Sequence, residues 1–170
     1  MRIQLYRLAS IAGFMVLAAC SATTSAAPTA SGNDPLSDFG TLNGARVEVS
    51  AEGGFAALDV KDVASHDDRS YVHVQRHICA QNCGAPMDSS SGVMSAAASD
   101  SLFNIVLEQA RVLDKTDYGV TKGGADMMSY TLRITSNGTT RTLTADDGTM
   151  PDSMRRIVDV VRTSIAAARR

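Results

Sequence analysis

Tryptophan is absent from this 170-residue chain, and aromatic residues make up only 5% of it. A core must therefore be assembled from Leu, Ile, Val, Met and Ala, and no stacking platform for bases or sugars is expected. Neither sign of charge dominates: 16 basic and 18 acidic side chains leave a formal charge of −2 and a pI near 5.9. Without a basic field to release counterions, nucleic acid is not an expected partner. With 4 prolines, 3 cysteines, 44% apolar and 20% charged residues, the composition excludes collagenous, disordered and heavily disulfide-stapled classes. Catalytic signatures are missing too. There is no Gly-rich phosphate loop, no His-Glu-x2-His metal pair and no Gly-x-Ser-x-Gly elbow. Ser, His and Asp occur at no spacing that makes a triad, and the paired acids Asp67-Asp68 and Asp146-Asp147 fall in expected turns, where solvated carboxylates are the rule. The expectation is a non-enzyme with no catalytic residue, no resident metal and no cofactor.

The one long apolar run is N-terminal. Arg2 and Arg7 precede Leu8 to Ala19, interrupted only by Ser10 and Gly13, in the charge-then-hydrophobe order of an export signal. The run is shorter than the roughly 20 apolar residues a spanning helix needs. It ends in Leu17-Ala18-Ala19-Cys20, which resembles the lipobox of bacterial lipoproteins, whose cysteine sulfur carries the lipid after cleavage. That resemblance makes residues 1–19 a signal peptide and Cys20 the lipid anchor to a membrane. Ser21 in place of Asp then implies sorting to the outer membrane, facing the periplasm. The alternative is an ordinary signal peptide cut elsewhere, with Cys20 incidental. Beyond Cys20, residues to about Asn33 are Ser, Ala, Thr, Gly and Pro, a composition that cannot offset its ordering entropy. Residues 20–41 are thus read as acylated terminus and flexible tether, whose reach is about 25 Å for some twenty residues. Residues 42–170 are the folded domain, long enough for a two-layer core.

Cys79 and Cys83 flank Ala80-Gln81-Asn82 and precede Gly84, a spacing a tight loop can close into a disulfide in an oxidising compartment. A thioredoxin-type redox pair would have two intervening residues, not three. With His73 and His77 just upstream, the same residues include the ligand types of zinc, although the spacing fits no finger or ribbon. Solvated strand histidines are the plainer reading of His73 and His77.

Arg46-Val47-Glu48-Val49-Ser50 alternates as a half-buried strand. Glu52-Gly53-Gly54 supplies a turn, and Phe55 to Val60 returns as a second strand. Tyr71 to Ile78 alternates as a third, with Val72, Val74 and Ile78 on one face. Met87 to Gly92 reads as a Ser- and Gly-rich connection. Leu102, Phe103, Val106, Leu107, Ala110 and Leu113 mark one face of a helix over about Ala96 to Leu113. Met128, Tyr130, Leu132 and Ile134 form the clearest strand, with Tyr130 expected in the core and its hydroxyl at the rim. Asn137-Gly138 turns it into Arg141 to Ala145, and Pro151 opens a last helix with the stripe Met154, Ile157, Val158, Val161 and Ile165. The expected fold is α+β, an antiparallel sheet of about four to five strands with two helices packed on one face.

Three segments in order carry a family resemblance. Gly53-Gly54-Phe55-Ala56-Ala57-Leu58 follows a first strand. Gly123-Gly124-Ala125-Asp126-Met127-Met128-Ser129-Tyr130-Thr131-Leu132 leads into a hairpin, and Asp147-Gly148-Thr149-Met150-Pro151 precedes an amphipathic helix. Together they resemble the emfourins, small proteinaceous inhibitors of protealysin-like enzymes among the thermolysin-type zinc metallopeptidases. The lipoprotein signal, the tether and the middle with Cys79 and Cys83 depart from that family pattern. The resemblance implies a thermolysin-like metallopeptidase as partner. Such enzymes favour a large apolar residue just after the scissile bond, so Gly53, Gly54, Phe55, Ala56, Ala57 and Leu58 form the candidate inhibitory loop, with Phe55 or Leu58 filling that pocket. The alternative is that Phe55 and Leu58 are core residues of a hairpin packed on the helices, a reading that fits Leu58 at least as well. The alternative function is a non-inhibitory periplasmic scaffold or binding lipoprotein of the same fold.

Overall fold

A computed structural model of the chain describes residues 40–78, 86–123 and 126–170. Six strands and two helices follow in the order β1 (Arg46–Gly53), β2 (Leu58–Ser65), β3 (Ser70–His77), β4 (Asp88–Val93), α1 (Ala96–Ala110), β5 (Met128–Ser136), β6 (Thr139–Asp146) and α2 (Asp152–Ala168). All ladders are antiparallel, and the sheet order is β4-β3-β2-β1-β5-β6. The first strand therefore lies inside the sheet, between β2 and β5.

The pleat explains the layering. Cross-strand partners align Leu143, Leu132, Val49, Asp62, His73 and Ser90 in one row, and Arg141, Ile134, Val47, Ala64, Tyr71 and Gly92 in the next. Partners in a row point to the same face. That face meets Leu102, Phe103, Val106 and Leu107 of α1 and Met154, Ile157, Val158, Val161 and Ile165 of α2 in a single buried cluster. The architecture is thus α+β with both helices on one side. The other side carries charges such as the Glu48–Lys61 pair at 2.7 Å.

The strand count is six, above the four to five expected, because residues 88–93 are a strand and not a connection. Asp-Ser-Ser-Ser-Gly-Val has little intrinsic strand preference, so its pairing with β3 decides the conformation. The strand boundaries near the first turn also differ from expectation. β2 begins at Leu58 and not Phe55, since Gly53, Gly54 and Ala57 all take positive φ (110°, 68° and 45°) and bend the chain over residues 54–57. In β3 the phase is reversed. Tyr71 and His73 face the helices, whereas Val72 and Ile78 are about half exposed at 41% and 46%. The Ala64↔Tyr71 and Asp62↔His73 pairings impose this orientation.

Local chemistry finishes both helices. Ser95 accepts from Ala98 N–H at the start of α1. At its far end Arg141 of β6 donates to the carbonyls of Ala110 and Leu113, at 3.0 and 2.7 Å. Pro151 caps α2 with extended backbone, and Asp152 adds an acid to its first turn. Asn137 and Gly138 take φ of 48° and 77°, as a two-residue hairpin turn requires. Among the described residues no helix is long and apolar enough to cross a membrane.

Candidate functional site

Two places in the fold bring together residues that its scaffold alone does not require. The first is the turn between β1 and β2. A Cβ on Gly53 would sit 2.8 Å from the Met127 carbonyl oxygen, so the turn lies against the chain entering β5. Gly54 N–H donates to Met127 O, Ala57 N–H to Gly54 O, and Ile78 N–H to Ala57 O. His77 Nδ1–H adds a bond to Ala56 O at 3.3 Å. With its backbone tied on three sides, the turn projects Phe55 into solvent at 94% exposure. Ile78 and Met87, exposed by 46% and 54%, occupy the same end of the sheet. Leu58 does not join them. It is half-buried at the start of β2 and lines the wall of a cleft.

That cleft is the second place. It has a volume of about 370 Å³ and lies between the C-terminal half of α2 and the helix-facing side of β2, β3 and β5. Asp62, only 1% exposed, accepts from His73 Nδ1–H at 2.6 Å, and Arg162 Nε lies 3.7 Å from its other oxygen. An ionised carboxylate only accepts, so the imidazole proton on Nδ1 is assigned by its partner. His73 Nε2 is buried with no hydrogen-bond partner, and Asp88 Oδ2 stands 3.7 Å away. Arg169 Nη2 donates to the same Asp88 oxygen at 2.5 Å. This contact, together with the Arg169 charge, holds the Asp88 carboxyl below the usual carboxylate range. The Arg162 guanidinium lies 5.5 Å from the Tyr130 ring centroid. Burial, then the neighbouring Asp147 carboxylate, pushes the Tyr130 phenol up.

His73 is accordingly not a solvated strand histidine but a buried one, because β3 turns that face toward α2. His77, four residues on, is exposed and about 13 Å along the strand at 3.3 Å per residue. The structure does not bring the two imidazoles together. Among the described residues no three His, Cys, Asp or Glu side chains gather as a metal site. Cys20, Cys79 and Cys83 lie outside the described residues, as do Gly124 and Ala125.

Of the two acid pairs, the first sits in an exposed turn as expected and the second does not. Asp67 and Asp68 are turn acids, Asp67 receiving Gly44 N–H and Asp68 both the N–H and hydroxyl of Ser70. Asp146 is 3% exposed and ties a loop together. It accepts from the N–H and hydroxyl of Thr121, the N–H of Gly148, and the N–H and hydroxyl of Thr149. Those donors, the Thr121 N–H first, lower its pKa to about 2. Its neighbour Asp147 accepts Met128 N–H and fixes the entry to β5.

Sequence reasoning missed the Asp62–His73 pair and Asp88. One signal was present, since Val60, Asp62 and Ala64 alternate as a strand face in which an acid replaces an apolar residue. Such an acid needs a buried partner. Asp88 gave no signal, because its strand did not read as one. Compared with known proteins, the chain matches no family model and no curated sequence.

Proposed function

We propose that this chain is a lipid-anchored envelope protein that inhibits a thermolysin- or protealysin-type zinc metallopeptidase, offering the Gly53–Leu58 turn to the enzyme's cleft. The observation that carries the reading is Phe55, a large apolar side chain 94% exposed on a turn whose backbone is already hydrogen-bonded in place. Burying such a side chain in a partner's pocket yields about 1.5–3 kcal/mol. A turn that is ordered beforehand loses little further entropy on binding. The emfourin resemblance of the Gly53 to Leu58 segment points to the partner, and Phe55 suits the pocket such peptidases use for a large apolar residue. Ile78 and Met87 extend the apolar surface beside it, whereas Leu58 serves the cleft wall. The proposed anchor is Cys20, with the tether placing the domain in the periplasm on the outer membrane.

The test is a titration of a thermolysin-like peptidase with a form lacking residues 1–20. Near-stoichiometric slowing, weakened by Phe55→Ala, supports the reading. No slowing across a panel of such enzymes overturns it in favour of the non-inhibitory scaffold.

A further inference from the structure

We infer that the cleft between α2 and the sheet is a binding site for a small carboxylate on a short apolar stem, a ligand unrelated to the peptidase contact. Its volume of about 370 Å³ lies within the range of small-molecule sites, roughly 300–1,000 Å³. Leu58, Val60, Met128 and Ile165 make an apolar wall, and His73 and Arg169 stand at the polar end.

The imidazole carries the argument. His73 is 9% exposed, its Nδ1–H is committed to Asp62, and the ring orientation is thereby fixed. Nε2 is left buried without a hydrogen-bond partner, at the wall of the cleft. A buried polar atom in that state is satisfied by a ligand group or by water. Asp88 indicates which group. Its Oδ2 already lies between the Arg169 guanidinium at 2.5 Å and His73 Nε2 at 3.7 Å, too far from the imidazole for a hydrogen bond. A carboxylate arriving from solvent would take the Arg169 guanidinium and, with His73 in its doubly protonated form, the Nε2–H at shorter range, displacing Asp88, whose side chain is 45% exposed on an edge strand and free to enter water.

The charges around the imidazole suit an anion. Facing His73 are Asp62 from β2, Asp88 from β4, Tyr130 from β5, and Arg162 and Arg169 from α2. Two guanidiniums balance two carboxylates, so a proton on His73 makes the cleft a net cation with Nε2–H as donor.

The experiment is an amide-shift titration of the full chain with octanoate, with N-acetyl-leucine as a second probe and octan-1-ol as the uncharged control. Saturable shifts confined to the cleft are expected. Octanoate alone binding assigns the ligand to free acids, and N-acetyl-leucine binding more tightly assigns it to peptide carboxyl ends. Asp88→Ala, which removes the internal competitor, tightens octanoate binding by about tenfold, a gain that misfolding does not produce. His73→Gln weakens it roughly tenfold, and Ala166→Phe blocks the cleft without touching the charges. No saturation in either wild type or Asp88→Ala overturns the inference, as does unaltered binding in Asp88→Ala or octan-1-ol binding as tightly as octanoate. Peptidase inhibition is scored separately by Phe55→Ala, so the two readings fail independently.

Discussion

The Tyr71 ring occupies the space that a side chain on Gly92 would need. A Cβ there would lie 2.9 Å from the Tyr71 hydroxyl and 3.0–3.1 Å from the ring, while the hydroxyl donates to Ala168 O at the end of α2. Gly92→Ala is therefore expected to destabilise the domain by about 1–2 kcal/mol in urea unfolding. Tyr71→Phe alone costs about 0.5–1.5 kcal/mol through the lost hydrogen bond. Combined, the two cost less than their sum, because Phe relieves the closest contact. Strict additivity would contradict the packing described.

Arg141 closes α1 from a neighbouring strand, on carbonyls of residues that are fully buried or nearly so. Arg141→Met keeps the stem and removes the donors. Its expected cost is about 1–3 kcal/mol, the penalty for leaving buried carbonyls unpaired. Equilibrium denaturation monitored by far-UV dichroism checks this, and unchanged stability would show that water takes over both carbonyls.

The Asp146 loop gives a pH window. Its folded pKa of about 2 is below the ordinary aspartate value of 3.8, so the stability it contributes is complete above the unfolded pKa and is lost as pH falls from about 4 through 2. Asp68, also lowered to about 2 by Ser70, titrates in the same window. Asp146→Asn is expected to flatten the fall in stability between pH 4 and 2 without removing it. Denaturant midpoints measured at several pH values decide the matter, and a parallel curve for the variant would contradict the hydrogen-bond assignment.

At the first turn, function and stability separate. Phe55→Ala changes folding stability by no more than about 0.5 kcal/mol, since the ring is almost wholly in solvent. Gly53→Ala costs about 1–3 kcal/mol, because φ is +110° and its Cβ would meet the Met127 carbonyl. Inhibition assays and thermal melts run on both variants test the contrast. Equal melting temperatures for the two would mean that the turn is not held as described.

How far the sequence reveals this molecule depends on where periodicity and chemistry agree. Leu132 and Ile134, and the α2 stripe from Met154 to Ile165, are apolar at the right period, and all are buried. In β3 the two criteria conflict. Val72 and Val74 look like the core side, yet Tyr71 and His73 hold it, one through a hydroxyl bonded to α2 and the other through a carboxylate from β2. Strand β4 was hidden by its serines, whose conformation comes from pairing and not from preference. The Asp62–His73–Asp88 cluster was hidden for the same reason: it is assembled by the register of three strands, and register is not written in any one of them. Periodicity reads Phe55 as part of a strand and the family resemblance reads it as part of a presenting loop; three positive φ angles place it at a tip.

The position of β1 also governs how the chain is made. Its ladder with β2 can form early, but the opposite edge, with Val47, Val49 and Ala51, waits for partners Met128–Ser136, some eighty residues downstream. A nascent or prematurely terminated product ending before that segment carries an open interior edge, which recruits other chains into aggregates. Chains truncated before Met128 should thus yield insoluble material instead of a shortened working domain.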